Sequence, residues 1–190
     1  MVYESTEQKL SPFAANLKSD IQIFVREAVI QDAADFIRCV RNYIADSTYM
    51  VMEPDEFAPD TSQGREFIQN LIESENSLLI VATHNEKIIG NLDITGGRRR
   101  RLRHTGLVGM GIAKDYRDKG LGQILLETGI KWARKNPMLE KLWLQIIADN
   151  TPALNLYKKM GFIEEGRQKE FIKAGDGQYY DNLLMAYKVK

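Results

Sequence analysis

A chain of 190 residues with 26 Lys and Arg against 26 Asp and Glu has no net charge at pH 7, which argues against a protein that coats a polyanion through bulk charge. A single cysteine, Cys39, excludes an internal disulfide framework and a Cys-built zinc site. With only His84 and His104 beside it, a transition-metal centre is disfavoured as well. No run of residues reaches membrane-spanning length, and 44% apolar with 27% charged residues is the balance of a globular domain large enough to bury a core.

Residues 1–20 show no periodicity and, with Glu4, Glu7, Lys9, Lys18 and Asp20 spread along them, lack the apolar core of a signal peptide. They read as an N-terminal arm to a single domain over residues 21–190, and the chain as cytoplasmic. Residues 21–26 alternate as a strand. Asp32 then reads as the cap of a helix with Ala33, Phe36, Ile37, Val40 and Ile44 on one face, beside which Cys39 is a structural thiol. Residues 47–60, with Glu53, Pro54, Asp55, Glu56, Phe57 and Pro59, form an acidic loop too rich in proline for a long helix. Ser62 starts a second helix carrying Phe67, Ile68, Leu71 and Ile72.

Residues 78–83 and 88–95 read as a hairpin around His84, Asn85, Glu86 and Lys87. Gly96 and Gly97 lead into a basic loop with Arg98, Arg99, Arg100, Arg101 and Arg103. No aromatic residue interleaves this cluster, which argues against stacking on a single-stranded nucleic acid. It reads instead as an exposed hairpin tip, placed to meet a terminal phosphate of a cofactor or a neighbouring subunit of a homodimer.

Residues 107–112 are a glycine-rich buried strand. After it come Lys114, Asp115, Tyr116, Arg117, Asp118, Lys119 and Gly120, then a helix whose apolar or small residues fall at Leu121, Ile124, Leu125, Thr128, Gly129, Trp132 and Ala133. A strand, a polar loop and a helix N-terminus make an anion site, because the first helical amides lack intrahelical acceptors and the macrodipole is positive there. Gly120 and Gly122 keep Cβ atoms away from an approaching phosphate, and Arg117 and Lys119 add charge at the rim. A pyrophosphate is the expected ligand. The segment is not a P-loop, and it lacks the first glycine of a dinucleotide fingerprint. Residues 142–147 are a further strand, Thr151 and Pro152 open the last helix as hydroxyl cap and N1 proline, Gly161 ends it, and two strands finish the chain.

The charge is unevenly placed: residues 1–77 carry 6 basic and 14 acidic side chains, and residues 78–190 carry 20 and 12. A basic half suits a polyanionic cofactor and an acidic half a cationic substrate.

Element order and two motifs resemble the GNAT superfamily of acetyl-CoA-dependent N-acetyltransferases over roughly residues 21–187, with a general character similar to its ribosomal-protein N-terminal acetyltransferase branch. Arg117-Asp118-Lys119-Gly120-Leu121-Gly122 matches the family's Gln/Arg-x-x-Gly-x-Gly/Ala loop. The run from Asn150 through Ala153 and Tyr157 to Gly161-Phe162 matches its Asn-x-x-Ala-x-x-x-Tyr-x-x-x-Gly-Phe segment. The resemblance implies an α/β (α+β) GNAT fold: a mixed, mostly antiparallel sheet of about seven strands, splayed between the fourth and fifth, flanked by four helices.

It also implies acetyl-CoA as co-substrate, no metal, and transfer of the acetyl group to a primary amine by direct attack in a ternary complex. The amine would belong to a small molecule or to a protein N-terminus or lysine. By the same resemblance Ile112, Ala113 and Lys114 line the pantetheine arm, Asp118, Lys119, Gly120, Leu121 and Gly122 hold the pyrophosphate with Arg117, and Asn150 and Asn155 face the arm from the other side. Tyr157 is the general acid and the Ile112 amide the oxyanion donor. The carboxylate that many relatives carry on the central strand is missing, since Leu107 and Gly109 stand there. Glu56, Glu53, His104 or a water wire are left as candidate bases. The missing carboxylate keeps one alternative open, a non-catalytic acyl-CoA-binding regulatory domain.

Overall fold

The computed structural model describes residues 9–18 and 20–190, so the segment 1–8 and position 19 of the expected N-terminal arm lie outside the described residues. Eight strands form one sheet: β1 (Phe13–Asn16), β2 (Gln22–Glu27), β3 (Leu78–His84), β4 (Lys87–Gly96), β5 (Thr105–Ile112), β6 (Lys141–Ile147), β7 (Ile163–Lys173) and β8 (Tyr179–Lys188). Their spatial order is β1-β2-β3-β4-β5-β6-β8-β7. Four helices flank it: α1 (Ala33–Ala45), α2 (Thr61–Glu73), α3 (Leu121–Lys135) and α4 (Thr151–Lys159).

The count exceeds the expected seven strands by one. Phe13–Asn16, read in the sequence as arm, pairs antiparallel with Val25–Gln22 at the sheet edge, and Leu17 just after it is buried. Four residues are too short to display an alternation, so only the partner strand reveals this one.

Every neighbouring pair is antiparallel except β5 and β6, which pair in parallel at Thr105, Gly106 and Leu107 only. Beyond Leu107 the two strands part while β4 stays paired to β5 as far as Ile112. This is the splay expected between the fourth and fifth strands of a seven-strand reading.

Helices cover both faces, as an α/β layer architecture requires. α3 packs on β3, β4 and β5 through Leu121, Leu125, Leu126 and Ile130, all at most 4% exposed. α1 and α2 cover the other face with Phe36, Val40, Tyr43, Ile68 and Leu71. Leu92 of β4 lies fully buried under α3, where a Cβ on Gly129 would stand 2.8 Å from its Cδ2. Leu92→Ala is expected to cost roughly 2–5 kcal/mol of stability, read by denaturant unfolding, because so tight a contact leaves a cavity that cannot collapse.

Helix caps differ from the sequence reading in three places. Asp32 holds the N-cap position of α1 as expected, but its side chain makes no capping bond there. Its carboxylate accepts both guanidinium nitrogens of Arg26, at 2.6 and 2.8 Å, and the Val29 amide. α2 is capped by Asp60, whose side chain accepts the Gln63 amide at 2.9 Å, and Ser62 falls inside the helix. Asn150, and not Thr151, caps α4 through the Ala153 amide. At the far end of α4 the amides of Gly161 and Phe162 donate to Lys158 and Tyr157, with Gly161 at φ +90° as the left-handed C′ residue.

Candidate functional site

The parting of β5 from β6 opens a cleft whose walls are backbone. The Ala113 amide donates to Ile89 of β4 at 2.9 Å, so alternation along β5 turns the amides of Met110 and Ile112 to the opposite edge, toward the departed β6. The Ile112 amide is thus aimed into the opening, and the Ala113 amide is spent on β4.

Directly after β5, residues Lys114–Tyr116 make one 3-10 turn, and the chain then enters α3 through two left-handed residues, Asp118 at φ +59° and Gly120 at φ +92°. Non-glycine residues rarely adopt this region, and a pair of them curls successive amides into a concave donor array. The first intrahelical bond of α3 is Ile124 to Gly120, which leaves the amides of Leu121, Gly122 and Gln123 without a helical acceptor. Gly122 lies with its Cα against α4 and β5: a Cβ there would stand 3.0 Å from Leu156 and 3.3 Å from Ile112.

Arg117 is placed differently from a rim charge. Its Nε donates to the Ile112 carbonyl at 3.0 Å and an Nη to the Asp46 carbonyl at 3.2 Å, with the Tyr43 carbonyl 3.5 Å away. The guanidinium therefore ties the loop to the carbonyl end of α1, where acceptors lack helical partners. Lys119 stays at the rim, its ammonium 5.9 Å from the Tyr116 ring centroid.

Across the opening, α4 supplies Tyr157, 7% exposed and edge-on to Phe162 at 5.5 Å. Burial, and after it the charge of Asp93, push its phenol up to about 12, so it holds its proton throughout the neutral range. Asn150 spends its side-chain oxygen on the α4 cap, and Asn155 is exposed on the same helix.

The candidate bases fare unequally. His104 precedes β5 at the end opposite Ile112; eight residues of strand set them roughly 26 Å apart, which removes His104 from the cleft. The Arg98–Arg103 loop shares that remote end, with Arg103 near Glu75, and so cannot reach a phosphate bound at the start of α3. Glu56 and Glu53 are exposed on the loop between α1 and α2. The Glu56 carboxylate accepts the Glu53 amide at 2.8 Å, and a Cβ on Gly175 of the β7–β8 turn would lie 3.9 Å from Glu53, so loop and turn approach each other there.

One further carboxylate has no local motif to mark it. Asp93 on β4 pairs with Gly109 of β5, and a Cβ on that glycine would stand 2.6 Å from its Oδ1. Burial pushes its pKa up to about 6. The legible signal was Asn91 and Asp93 two apart on one face of an apolar strand, facing Gly109 and Gly111 two apart on the next. Cys39 is buried, its thiol pushed up to about 11 by burial, which leaves it without nucleophilic character.

Among the described residues no group of His, Cys, Asp and Glu is arranged to hold a metal ion, and no helix is long and apolar enough to cross a membrane.

The model of the acetyltransferase (GNAT) family matches residues 42–162. The chain is 28% identical over 107 residues to the L-amino acid N-acetyltransferase AaaT of Escherichia coli, covering 56% of this chain and 65% of that protein. It is 32% identical over 83 residues to the [ribosomal protein bS18]-alanine N-acetyltransferase of the same organism, covering 44% and 55% respectively. The matched stretches thus span less than two thirds of those relatives. Among solved structures, a GNAT-family acetyltransferase from Streptococcus pneumoniae superposes with a TM-score of 0.85 at 31% identity, covering 87% of this chain and 99% of that one. A phosphinothricin acetyltransferase from Sinorhizobium meliloti, solved with AcCoA, shares the fold at a TM-score of 0.76 and 18% identity, covering 86% of each chain.

Proposed function

Because the chain belongs to the GNAT acetyltransferase family, we propose that it transfers an acetyl group from acetyl-CoA to a primary amine by direct attack, without a covalent enzyme intermediate. The observation that carries this reading is the combination of a strand edge left open beyond Leu107 with unspent helical amides immediately downstream. An extended thioester arm pairs with such an edge as an added strand does, and a diphosphate suits the donors of residues 118–123. The residues present therefore fit acetyl-CoA, which supplies the activated acyl group when bound.

Each residue then has a task. Asp118, Lys119, Gly120, Leu121 and Gly122 hold the diphosphate through their amides, and Lys119 adds charge at the rim. Arg117 positions that loop by fastening it to α1. The Ile112 amide receives the negative charge that develops on the thioester oxygen as the amine attacks. Tyr157 gives its proton to sulfur as the carbon–sulfur bond breaks. The acceptor enters between the α1–α2 loop and the β7–β8 turn, where Glu53, Asp55 and Glu56 favour a cationic amine. A small amine such as an amino acid, or a protein N-terminus, meets these requirements, as the names of the curated relatives also suggest.

Two measurements bear on this. Thiol release from acetyl-CoA over a panel of amino acids, polyamines and short peptides should reveal at least one acceptor. Binding of acetyl-CoA with no turnover on any of them would favour the non-catalytic, acyl-CoA-binding reading. Arg117→Ala should weaken acetyl-CoA binding about tenfold by calorimetry, because the loop loses its anchor on α1. An unchanged affinity would return Arg117 to the surface.

A further inference from the structure

We propose that Asp93 is the general base of the reaction, the residue that takes the proton from the acceptor amine; this rests on the acetyl-transfer reading above. The central strand lacks a carboxylate because its place is filled from the side. Asp93 stands opposite Gly109, and its Oδ1 and Oδ2 occupy the space a side chain there would need, 2.6 and 3.1 Å from an ideal Cβ. Gly109 lies two residues past the last β5–β6 pair, so this carboxylate sits at the mouth of the splay. The face is the one covered by α1, opposite to α3. Asp93 remains partly exposed while its strand neighbours Leu92 and Ile94 are fully buried.

Farther along the same strand face Asn91 is 2% exposed and its side-chain amide is hydrogen-bonded to the Tyr43 phenol, so α1 closes that end of the face.

The titratable groups facing Asp93 are Tyr43 from α1 and Tyr157 from α4, while β5 contributes no titratable side chain; both phenols are raised by burial first and by the Asp93 charge next. They stay neutral where Asp93 titrates, so a limb near pH 6 belongs to the carboxylate. Thr95 on the same strand donates weakly to its Oδ2, at 3.4 Å.

The proton balance closes. An ammonium acceptor first yields one proton to solvent. As the nitrogen–carbon bond forms, Asp93 takes the second. As the carbon–sulfur bond breaks, Tyr157 protonates the thiolate. Asp93 then releases its proton to water and Tyr157 regains one, so each turnover liberates one proton overall.

The test uses the full chain with the best acceptor of the amine panel. Plotted against the concentration of unprotonated acceptor, wild-type kcat/KM should rise with pH through about 6 and level off above it, because only the carboxylate form accepts a proton. Asp93→Asn should lower kcat about 100-fold on that plateau and abolish the limb, with the Kd for acetyl-CoA within about twofold of wild type; Asp93→Glu should recover part of the rate. The Asn variant should unfold at no lower temperature than wild type at pH 8. Burial penalises the Asp93 charge, so wild-type stability falls as pH rises through the range up to about 6, and the amide has no such charge. An Asn variant that keeps the limb, or loses acetyl-CoA affinity in step with activity, would overturn the assignment. A wild-type protein that releases no thiol with any amine would overturn the acetyl-transfer reading, and the base with it.

Discussion

Tyr157→Phe should reduce kcat for acetyl transfer by about 100-fold or more while leaving the Kd for acetyl-CoA within about twofold of wild type. The substitution removes one oxygen from a residue whose ring is already held by Phe162 and by the close of α4, so the packing survives and only the proton donor is lost. The residue leans on a double constraint. Its carbonyl accepts the Phe162 amide at 3.0 Å, and its ring is met edge-on by that same Phe162. The phenol is pushed up to about 12, so no loss of rate from its ionisation should appear up to about pH 10. Steady-state kinetics and calorimetry on the pair of proteins separate the two quantities. A loss under threefold would leave the departing thiolate to be protonated by water and strip Tyr157 of its role.

Gly122→Val should weaken acetyl-CoA binding on the order of 100-fold, again by calorimetry. A Cβ at this position already meets Leu156 at 3.0 Å and Ile112 at 3.3 Å, and the two methyls beyond it press on both side chains. The expected relief is an outward shift of the helix N-terminus, taking the amides of Leu121, Gly122 and Gln123 out of line with the diphosphate. Overpacking in a filled core costs about 1–3 kcal/mol, so a thermal scan should accompany the titration. Affinity unchanged in a folded variant would mean that this turn does not hold the cofactor.

How much of this was legible in the sequence differs from site to site, and the reason is range. The loop from Arg117 to Gly122 and the segment from Asn150 to Phe162 carry their meaning locally: left-handed glycines at Gly120 and Gly161, amides freed by a helix start, and an aromatic residue one turn from a cap. Periodicity alone marked the helices, and the buried sides of α1 and α3 carry the residues it picked out, except Ile124, which is half-buried. What failed was choice among equals. Asp32 has the right chemistry for a cap, but a bidentate pairing with Arg26 claims it first, while Asn150 outcompetes the adjacent Thr151.

Relations across the sheet were harder still. His104 and the arginines sit near β5 in sequence, yet strand direction places them at the end away from the cleft. Arg117 has the charge to meet a phosphate, but the carbonyls at the end of α1 that engage it are 71 and 74 residues distant. Asp93 carries no local sign of its place, since the vacant carboxylate position lies on β5 and not on its own strand. Only the register of β4 against β5 brings it over Gly109. The empty position and the carboxylate that fills it are one feature, divided between two strands.

The most direct test is a crystal structure of the protein with coenzyme A. The diphosphate should lie on the amides between Asp118 and Gln123, the pantetheine arm along β5 with a hydrogen bond from the Ile112 amide, and the sulfur within hydrogen-bond reach of the Tyr157 hydroxyl. A ligand bound elsewhere, or a sulfur remote from Tyr157, would contradict the account.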